Sequence, residues 1–344
     1  MIRIAINGMG RIGKNFLRVV MQDQQASKAL SIVALNIGPA DKDALAHSFK
    51  YDTLMKTYMY DVTYKENTLT ITDYFGVKHS IAVFAEKDPS YLPWAKLDID
   101  WVVESSGKFT KREDAEKHKQ AGAKAVLITA PAQGEDVTII PGVNHQMYNA
   151  ENHTIVALAS CTTNALVPML YVLDKAYGIE QAAMTTVHAY TNSQVLLDVD
   201  ATSKDLRRSR AAAVNIVPTS TGAMETIGKI MPHLIGKISG CSLRVPVTTV
   251  SLIDITYILK TPATAQEINN AFEAAASSSM QTILGATWTP LVSSDYQGDS
   301  HSVVVDLLMT SAQAGGTMGK AFGWYDNEWG YSCRLKDFLM LLIN

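Results

Sequence analysis

Residues 8–13, Gly8-Met9-Gly10-Arg11-Ile12-Gly13, constrain this chain more than any other segment. They follow the apolar run Ile2-Arg3-Ile4-Ala5-Ile6 and lead into Ile12, Phe16, Leu17 and Val20 at helical spacing. A strand that turns on glycines straight into a helix is the opening of a dinucleotide-binding unit. The glycines allow a sharp turn, close approach of a pyrophosphate and tight packing of helix on strand, while the helix N-terminus faces negative charge. Glycine turns also serve packing alone, so it is the strand context that carries the reading. A second strand, residues 31–36, ends at Ile37, where an NAD-selective site carries Asp or Glu for the ribose hydroxyls. Without that carboxylate a 2'-phosphate meets less repulsion, and NADP is admitted beside NAD. Asp41 and Asp43 follow, either as substitute acceptors or as solvated loop residues. Strands at 101–104 and 125–129, separated by a polar helix bearing Glu113, Lys117 and Lys119, predict an α/β fold with a doubly wound parallel sheet.

The second half concentrates reactive groups. Cys161 lies in Ala159-Ser160-Cys161-Thr162-Thr163-Asn164, among small hydroxyl residues. A thiol is a good nucleophile only as thiolate, and hydroxyls with helix-start amides stabilise that anion. An isolated Cys is more often a small buried hydrophobe; here its surroundings point to chemistry. A strand at 183–187 delivers His188 into a hydroxyl-rich turn, placed to take and return a proton. The other histidines, His47, His79, His118, His145, His153, His233 and His301, read as structural. A charge cluster at 204–210 precedes Pro218-Thr219-Ser220-Thr221-Gly222, a second small hydroxyl turn suited to an anion. Arg244 then stands within the apolar segment 243–246, where a guanidinium needs a phosphate or carboxylate partner. The stretches 247–259 and 303–309 are rich in β-formers, which predicts an α+β second domain with a large, mainly antiparallel sheet.

Composition narrows the class. With 47% hydrophobic and 18% charged residues over 344 positions, the chain is a two-domain globular protein rather than a disordered one. A formal charge of −3 and dispersed Lys and Arg give no field for nucleic acid or an anionic membrane. No leader-like or membrane-length apolar run is present, and the expected compartment is the cytoplasm. Cys161, Cys241 and Cys333 lie far apart without a CxxC pair, so reduced thiols and no metal are expected.

Together these segments, from Ile6-Asn7-Gly8 to Trp324-Tyr325-Asp326-Asn327-Glu328-Trp329-Gly330-Tyr331, resemble the phosphorylating glyceraldehyde-3-phosphate dehydrogenase family in order and spacing over essentially the whole chain. The resemblance implies that Cys161 attacks glyceraldehyde 3-phosphate as nucleophile, His188 moves the proton, and inorganic phosphate cleaves the resulting thioester. It places Ser160, Thr162, Arg208, Thr221 and Gly222 around the attacking phosphate, and Thr191 and Arg244 on the substrate phosphate. Asn7, Gly8, Gly10, Arg11, Ile12, Ile37, Lys87, Thr129 and Asn327 fall on cofactor positions. Ile37 and Lys87 replace the family's usual Asp and Arg, so both NAD and NADP are expected to serve, with Lys87 beside the 2'-phosphate. Ala165 replaces a second cysteine, and the loop at 198–203, which in the family approaches a neighbouring subunit's cofactor, is longer than usual. A homotetramer is implied. The expected organisation is a Rossmann domain at 1–160, a catalytic domain at 161–325 and a helix at 326–344 that completes the first domain. Erythrose-4-phosphate dehydrogenase, with different loops, is the nearest enzymatic alternative. A non-enzymatic dinucleotide-binding redox sensor built on an oxidisable Cys161 is the other, but it has no need of His188, Arg208 and Arg244 together.

Overall fold

The computed structural model describes residues 1–200 and 205–343; residues 201–204, and with them half of the loop singled out at 198–203, lie outside the described residues. Two compact units result, one of residues Met1–Ala159 with Ser332–Asn344 and one of residues Ser160–Tyr331. In chain order the first contains β1 (Ile2–Asn7), α1 (Arg11–Gln22), α2 (Gln24–Ala29), β2 (Leu30–Asn36), α3 (Ala44–Lys50), β3 (Val62–Lys65), β4 (Thr68–Thr72), β5 (Lys78–Phe84), β6 (Trp101–Glu104), α4 (Arg112–Gln120), β7 (Ala125–Ile128), β8 (Val137–Thr138) and β9 (Ile155–Ala157). Its sheet runs β3-β4-β5-β2-β1-β6-β7-β9-β8. All neighbours from β5 to β8 pair in parallel, as the alternation of strands and helices predicts.

The central strands β6 and β7 are buried at every position, as expected where helices cover both faces of a parallel sheet. The antiparallel edge made by β3 and β4 is a feature the sequence reading did not contain. Those strands alternate half-buried and exposed or buried positions. They join through Glu66 and Asn67, both in the left-handed region at φ 51° and 59°. At the far end of the chain, Leu335, Phe338 and Leu339 are buried in the first unit. The Phe338 ring meets Trp101 and Tyr148 edge-on at 5.7 and 5.3 Å. Leu342, expected on the same stripe, is only half-buried because the helix ends at Leu341.

The second unit holds α5 (Cys161–Tyr177), β10 (Ile179–Ala189), β11 (Val217–Thr219), α6 (Ala223–Ile230), β12 (Ile238–Val245), β13 (Ser251–Leu259), α7 (Ala265–Ala276), β14 (Leu284–Thr287), β15 (Val303–Ala312), β16 (Met318–Tyr325) and the start of α8 (Trp329–Leu341). Its sheet order is β11-β12-β10-β13-β16-β15-β14. Four of the six pairings are antiparallel, while β10–β12 and β14–β15 are parallel. Residues 247–250, expected as part of a strand, form a turn with Val250 at φ 67°, and β13 begins after it. α7 starts at a capping box in which Thr264 and Glu267 hold each other's backbone amides. No helix among the described residues is long and apolar enough to cross a membrane.

One carboxylate ties the end of this sheet together. Asp326 is 1% exposed; its Oδ1 accepts from the Glu328 and Trp329 amides and from Thr249 Oγ1, and its Oδ2 accepts from the Gly298 amide. Replacing Asp326 by Ala leaves those buried donors unpaired. The expected loss is about 3 kcal/mol or more of unfolding free energy in denaturant titration, with Asp326→Asn recovering part of it.

Candidate active site

The glycine fingerprint separates into glycines that the fold requires and one that it does not. Gly8 sits at φ 97°, and a Cβ there would lie 2.5 Å from the Ser106 amide nitrogen. A Cβ on Gly13 would lie 2.1 Å from the Gly8 carbonyl oxygen. Gly10 has no atom within 4 Å of its would-be Cβ, and no side chain caps the start of α1, which follows it. This is the cradle a pyrophosphate needs: open space over a helix N-terminus, bounded by a turn with no side chain in the way.

That turn lies on a cavity of about 1030 Å³ within the first unit, lined by Asn7, Gly8, Gly10, Ile37 and Lys87 among others. Arg11, Ile12 and Thr129 do not line it. The Arg11 guanidinium pairs with Asp52, and the Thr129 amide donates to the Glu104 carbonyl at 3.0 Å. Burial alone would raise the Asp52 carboxyl, but Arg11 and the amides of Met55 and Leu54 hold it below its ordinary value. Beside Ile37, Asp41 is on the cavity wall while Asp43 is not. Lys14, Lys108 and Lys117 also face the cavity, none of which the sequence reading assigned to it.

A buried chain of hydrogen bonds sets the floor. Trp94 Nε1 donates to His118 Nδ1 at 3.1 Å, so the proton of that neutral ring is on Nε2, which donates to Glu104 Oε2 at 3.0 Å. Asn7 Nδ2 donates to the same carboxylate oxygen, and Asn7 Oδ1 accepts from Asn36 Nδ2 at 2.7 Å. Asn36 also donates to the Glu86 carbonyl at 2.9 Å and accepts from the Glu86 amide at 2.8 Å. The loop carrying Lys87 is thereby latched to the strand end carrying Ile37.

In the second unit, Cys161 is the first residue of α5, and Ala159 before it is held at φ 54°. Ser160 caps the helix, its Oγ accepting from the Thr163 amide at 3.1 Å. The Cys161 Sγ lies 3.6 Å from His188 Nε2. Burial pushes the thiol up, while the Arg244 charge and the hydroxyl and amide of Thr162 pull the other way. Burial, then Arg244, push the His188 imidazole down to about 3 against the opposing Ala189 carbonyl. Both shifts favour the uncharged form of each partner.

Arg244 reaches this point through strand register, since β12 pairs with β10 so that Arg244 stands directly beside His188. On its other side β11 places Val217 opposite Arg244 and runs on to Thr221 and Gly222 at the start of α6. Arg244 Nη1 donates to the Ala189 carbonyl at 3.0 Å, and its buried Nε has no partner among the described residues. Arg208 lies close enough to lower the Arg244 pKa further after burial, and its Nη1 donates to Ser193 Oγ, which in turn is 3.0 Å from Thr191 Oγ1. Neither guanidinium has a carboxylate within ion-pair distance among the described residues. Two arginines near two hydroxyls, neither guanidinium in an ion pair, form a receptor for an anion. Asn327 is buried, with Oδ1 accepting from Ser251 Oγ at 3.1 Å.

Sequence reasoning missed Ser193 and Tyr325. The Tyr325 hydroxyl bonds Thr162 Oγ1 at 3.1 Å and Thr186 Oγ1 at 2.8 Å, and its ring stands edge-on to His188 at 5.9 Å. It is the strut between the helix that begins at Cys161 and the strand that carries His188. The Thr162 hydroxyl is thus engaged internally.

Comparison with known proteins agrees with this geometry. A family model described as the glyceraldehyde 3-phosphate dehydrogenase NAD binding domain matches residues 2–112, and one described as the C-terminal domain matches residues 160–327. The chain is 46% identical over 338 residues to glyceraldehyde-3-phosphate dehydrogenase 2 of Bacillus subtilis, covering 98% of this chain and 96% of that one. It is 46% identical over 343 residues to glyceraldehyde-3-phosphate dehydrogenase 2 of Streptomyces avermitilis, covering 100% and 99%. Against the Geobacillus stearothermophilus glyceraldehyde-3-phosphate dehydrogenase the identity is 44% over 336 residues, covering 98% and 96%.

Two outcomes are expected. Gly13→Ala lowers the melting temperature, whereas Gly10→Ala leaves it in place and weakens dinucleotide binding in calorimetry, because only the second substitution points into open space. His188 refuses a proton in the folded state that an unfolded imidazole accepts near pH 6.5. Its contribution to stability is complete above about 6.5 and declines as pH falls towards 3, so His188→Asn should flatten the fall in unfolding free energy across that window.

Proposed function

From the premise that the chain belongs to the glyceraldehyde-3-phosphate dehydrogenase family, we propose that it oxidises D-glyceraldehyde 3-phosphate to 1,3-bisphosphoglycerate, with Cys161 as nucleophile and His188 as acid–base. The observation that carries this reading is the thiol 3.6 Å from an imidazole beside an arginine that no carboxylate among the described residues pairs with. Cys161 Sγ forms a bond to the aldehyde carbon as His188 Nε2 takes the thiol proton and passes it to the carbonyl oxygen, giving a thiohemiacetal and returning the imidazole to its neutral form. A nicotinamide dinucleotide bound in the first unit's cavity supplies the hydride acceptor that makes oxidation to the thioester feasible. His188 holds the proton given up by the thiohemiacetal hydroxyl. An oxygen of inorganic phosphate then attacks the thioester carbonyl, and the carbon–sulfur bond breaks to return Cys161 as thiolate, which His188 reprotonates.

We assign Thr191 and Arg244 to the substrate phosphate, and Arg208, Thr221 and Gly222, with Ser160 and Thr162, to the attacking phosphate. Thr162 serves the second group through its helix-start amide, since its hydroxyl is taken by Tyr325. For the cofactor, Asn7, Gly8, Gly10, Arg11 and Ile12 form the pyrophosphate turn, while Thr129 and Asn327 serve the nicotinamide end. Ile37 with Lys87 admits both NAD and NADP. Support for the last point is that Lys87 has no ion-pair partner among the described residues and shares the cavity wall with Ile37. A homotetramer is part of the reading. Leu196, Leu197, Leu206, Val214 and Ile216 leave large apolar side chains exposed on the second unit, a surface that a further copy of the chain would cover.

The test is phosphate-dependent oxidation of glyceraldehyde 3-phosphate with NAD and NADP side by side. Turnover with both is expected. Cys161→Ser should cut it by about a thousandfold or more, and Lys87→Ala should lower kcat/KM for NADP alone by about tenfold. Turnover confined to NAD overturns the dual specificity, and turnover only with erythrose 4-phosphate overturns the substrate.

A further inference from the structure

A second cavity lies at the opposite end of the first unit's sheet from the dinucleotide cradle. The cradle gathers the C-terminal ends of β1 and β2 at Asn7 and Asn36, whereas this cavity, of about 790 Å³, gathers the N-terminal ends of β1, β6 and β7 at Ile2, Trp101 and Ala125. That volume suits a small molecule. Its apolar part is a run of rings. Phe338 meets Trp101 and Tyr148 edge-on, Tyr148 lies 6.3 Å from Trp101, and the His153 ring follows 6.1 Å from Tyr148. A further flat ring can extend such a cluster by the same edge-to-face contacts. Leu341 and Leu342 add aliphatic surface beside it.

The polar part of the wall offers donors and few acceptors. The Gly142 amide donates to His145 Nδ1 at 3.2 Å and the Asn149 amide to His153 Nδ1 at 3.0 Å, so each neutral ring carries its proton on Nε2. Neither Nε2 proton has an acceptor among the described residues, and neither does the indole N–H of Trp101. Trp101 is 7% exposed, and because its Nε1 is not sealed from solvent, that small surface includes the donor. The side-chain acceptors, by contrast, are occupied. Asp100, the one carboxylate on the wall, takes Lys124 Nζ at 2.7 Å and the Arg3 amide at 2.8 Å, and Thr154 Oγ1 takes Lys119 Nζ at 2.9 Å. Three N–H groups around a ring cluster are an unmet demand for acceptors. We propose that this cavity is a second small-molecule site, which takes a planar aromatic molecule with carboxylate or carbonyl oxygens on its edge. The ring packs against Phe338 and Tyr148, and the oxygens accept from Trp101, His145 and His153. A cation of the same shape finds no free carboxylate there. The inference rests on neither the cofactor assignment nor the reaction, because no residue of this wall belongs to either.

The experiment is calorimetric titration of the intact protein with 2-naphthoate, with and without saturating NAD, beside 2-naphthylmethylamine and cyclohexanecarboxylate. The expected result is one naphthoate per chain, at an affinity that NAD leaves unchanged. Binding should be about tenfold tighter than that of either comparator, since the amine lacks the acceptors and the saturated acid lacks the flat ring. Hydrogen–deuterium exchange should slow in peptides covering residues 145–154 and 338–342. Trp101→Phe, which keeps a ring and removes the N–H, should weaken naphthoate by about fivefold. Ala150→Trp, which sets an indole at an exposed position on the wall, should remove the binding. Absence of naphthoate binding, displacement by NAD, equal binding of either comparator, protection confined to other peptides, or an affinity untouched by either substitution overturns the proposal. Should Trp101→Phe lose its melting transition, Ala150→Trp and the exchange pattern decide alone.

Discussion

The second unit depends on the parallel register between β10 and β12, because it fixes His188 and Arg244 as neighbours along eight paired positions from Ala182–Ile238 to Ala189–Val245. A one-residue slip would turn Arg244 to the opposite face of the sheet and leave His188 without its charged neighbour. With this register, a guanidinium is held partly buried beside an imidazole with no carboxylate among the described residues in ion-pair contact, a costly arrangement unless an anion completes it. The remaining parts answer to that placement. α5 brings its positive end and Cys161 up to the imidazole from the other side, and Tyr325 locks helix to strand through two hydroxyls.

In the first unit the equivalent role falls to Glu104. It is buried on β6 and accepts from His118, Asn7 and the Ser106 amide, so one carboxylate joins α4, β1 and the loop after β6. Through Asn7 and Asn36 the order reaches Glu86 and the loop bearing Lys87. The strand end that carries Ile37 and the loop that carries Lys87 are therefore held together from beneath by this polar chain.

The sequence made local features legible and distant ones not. The glycine turn, the nucleophile's helix start and the histidine at a strand end are each written in fewer than about ten consecutive residues, where steric and capping rules act directly. The Trp94–His118–Glu104–Asn7–Asn36 chain joins residues up to 97 positions apart, and none carries a local mark that separates it from an ordinary core polar residue. Tyr325 and Ser193 escaped for the same reason, since a tyrosine ending a strand and a serine in a loop have many uses until a fold brings partners to them. The strands β3 and β4 are short and rich in Thr, Tyr and Lys, and their half-buried alternation is too brief to separate from a loop.

The division among the fingerprint glycines carries over to the history of such chains. Gly8 and Gly13 are held in place by contacts inside the protein, whatever it binds, whereas Gly10 answers only to a visitor. A lineage that gave up its dinucleotide would keep the first and third glycines under the same purifying pressure and let the middle one drift. The middle position of the motif, taken by itself, therefore serves as a molecular fossil marker that separates working descendants from those that kept the architecture and lost the trade.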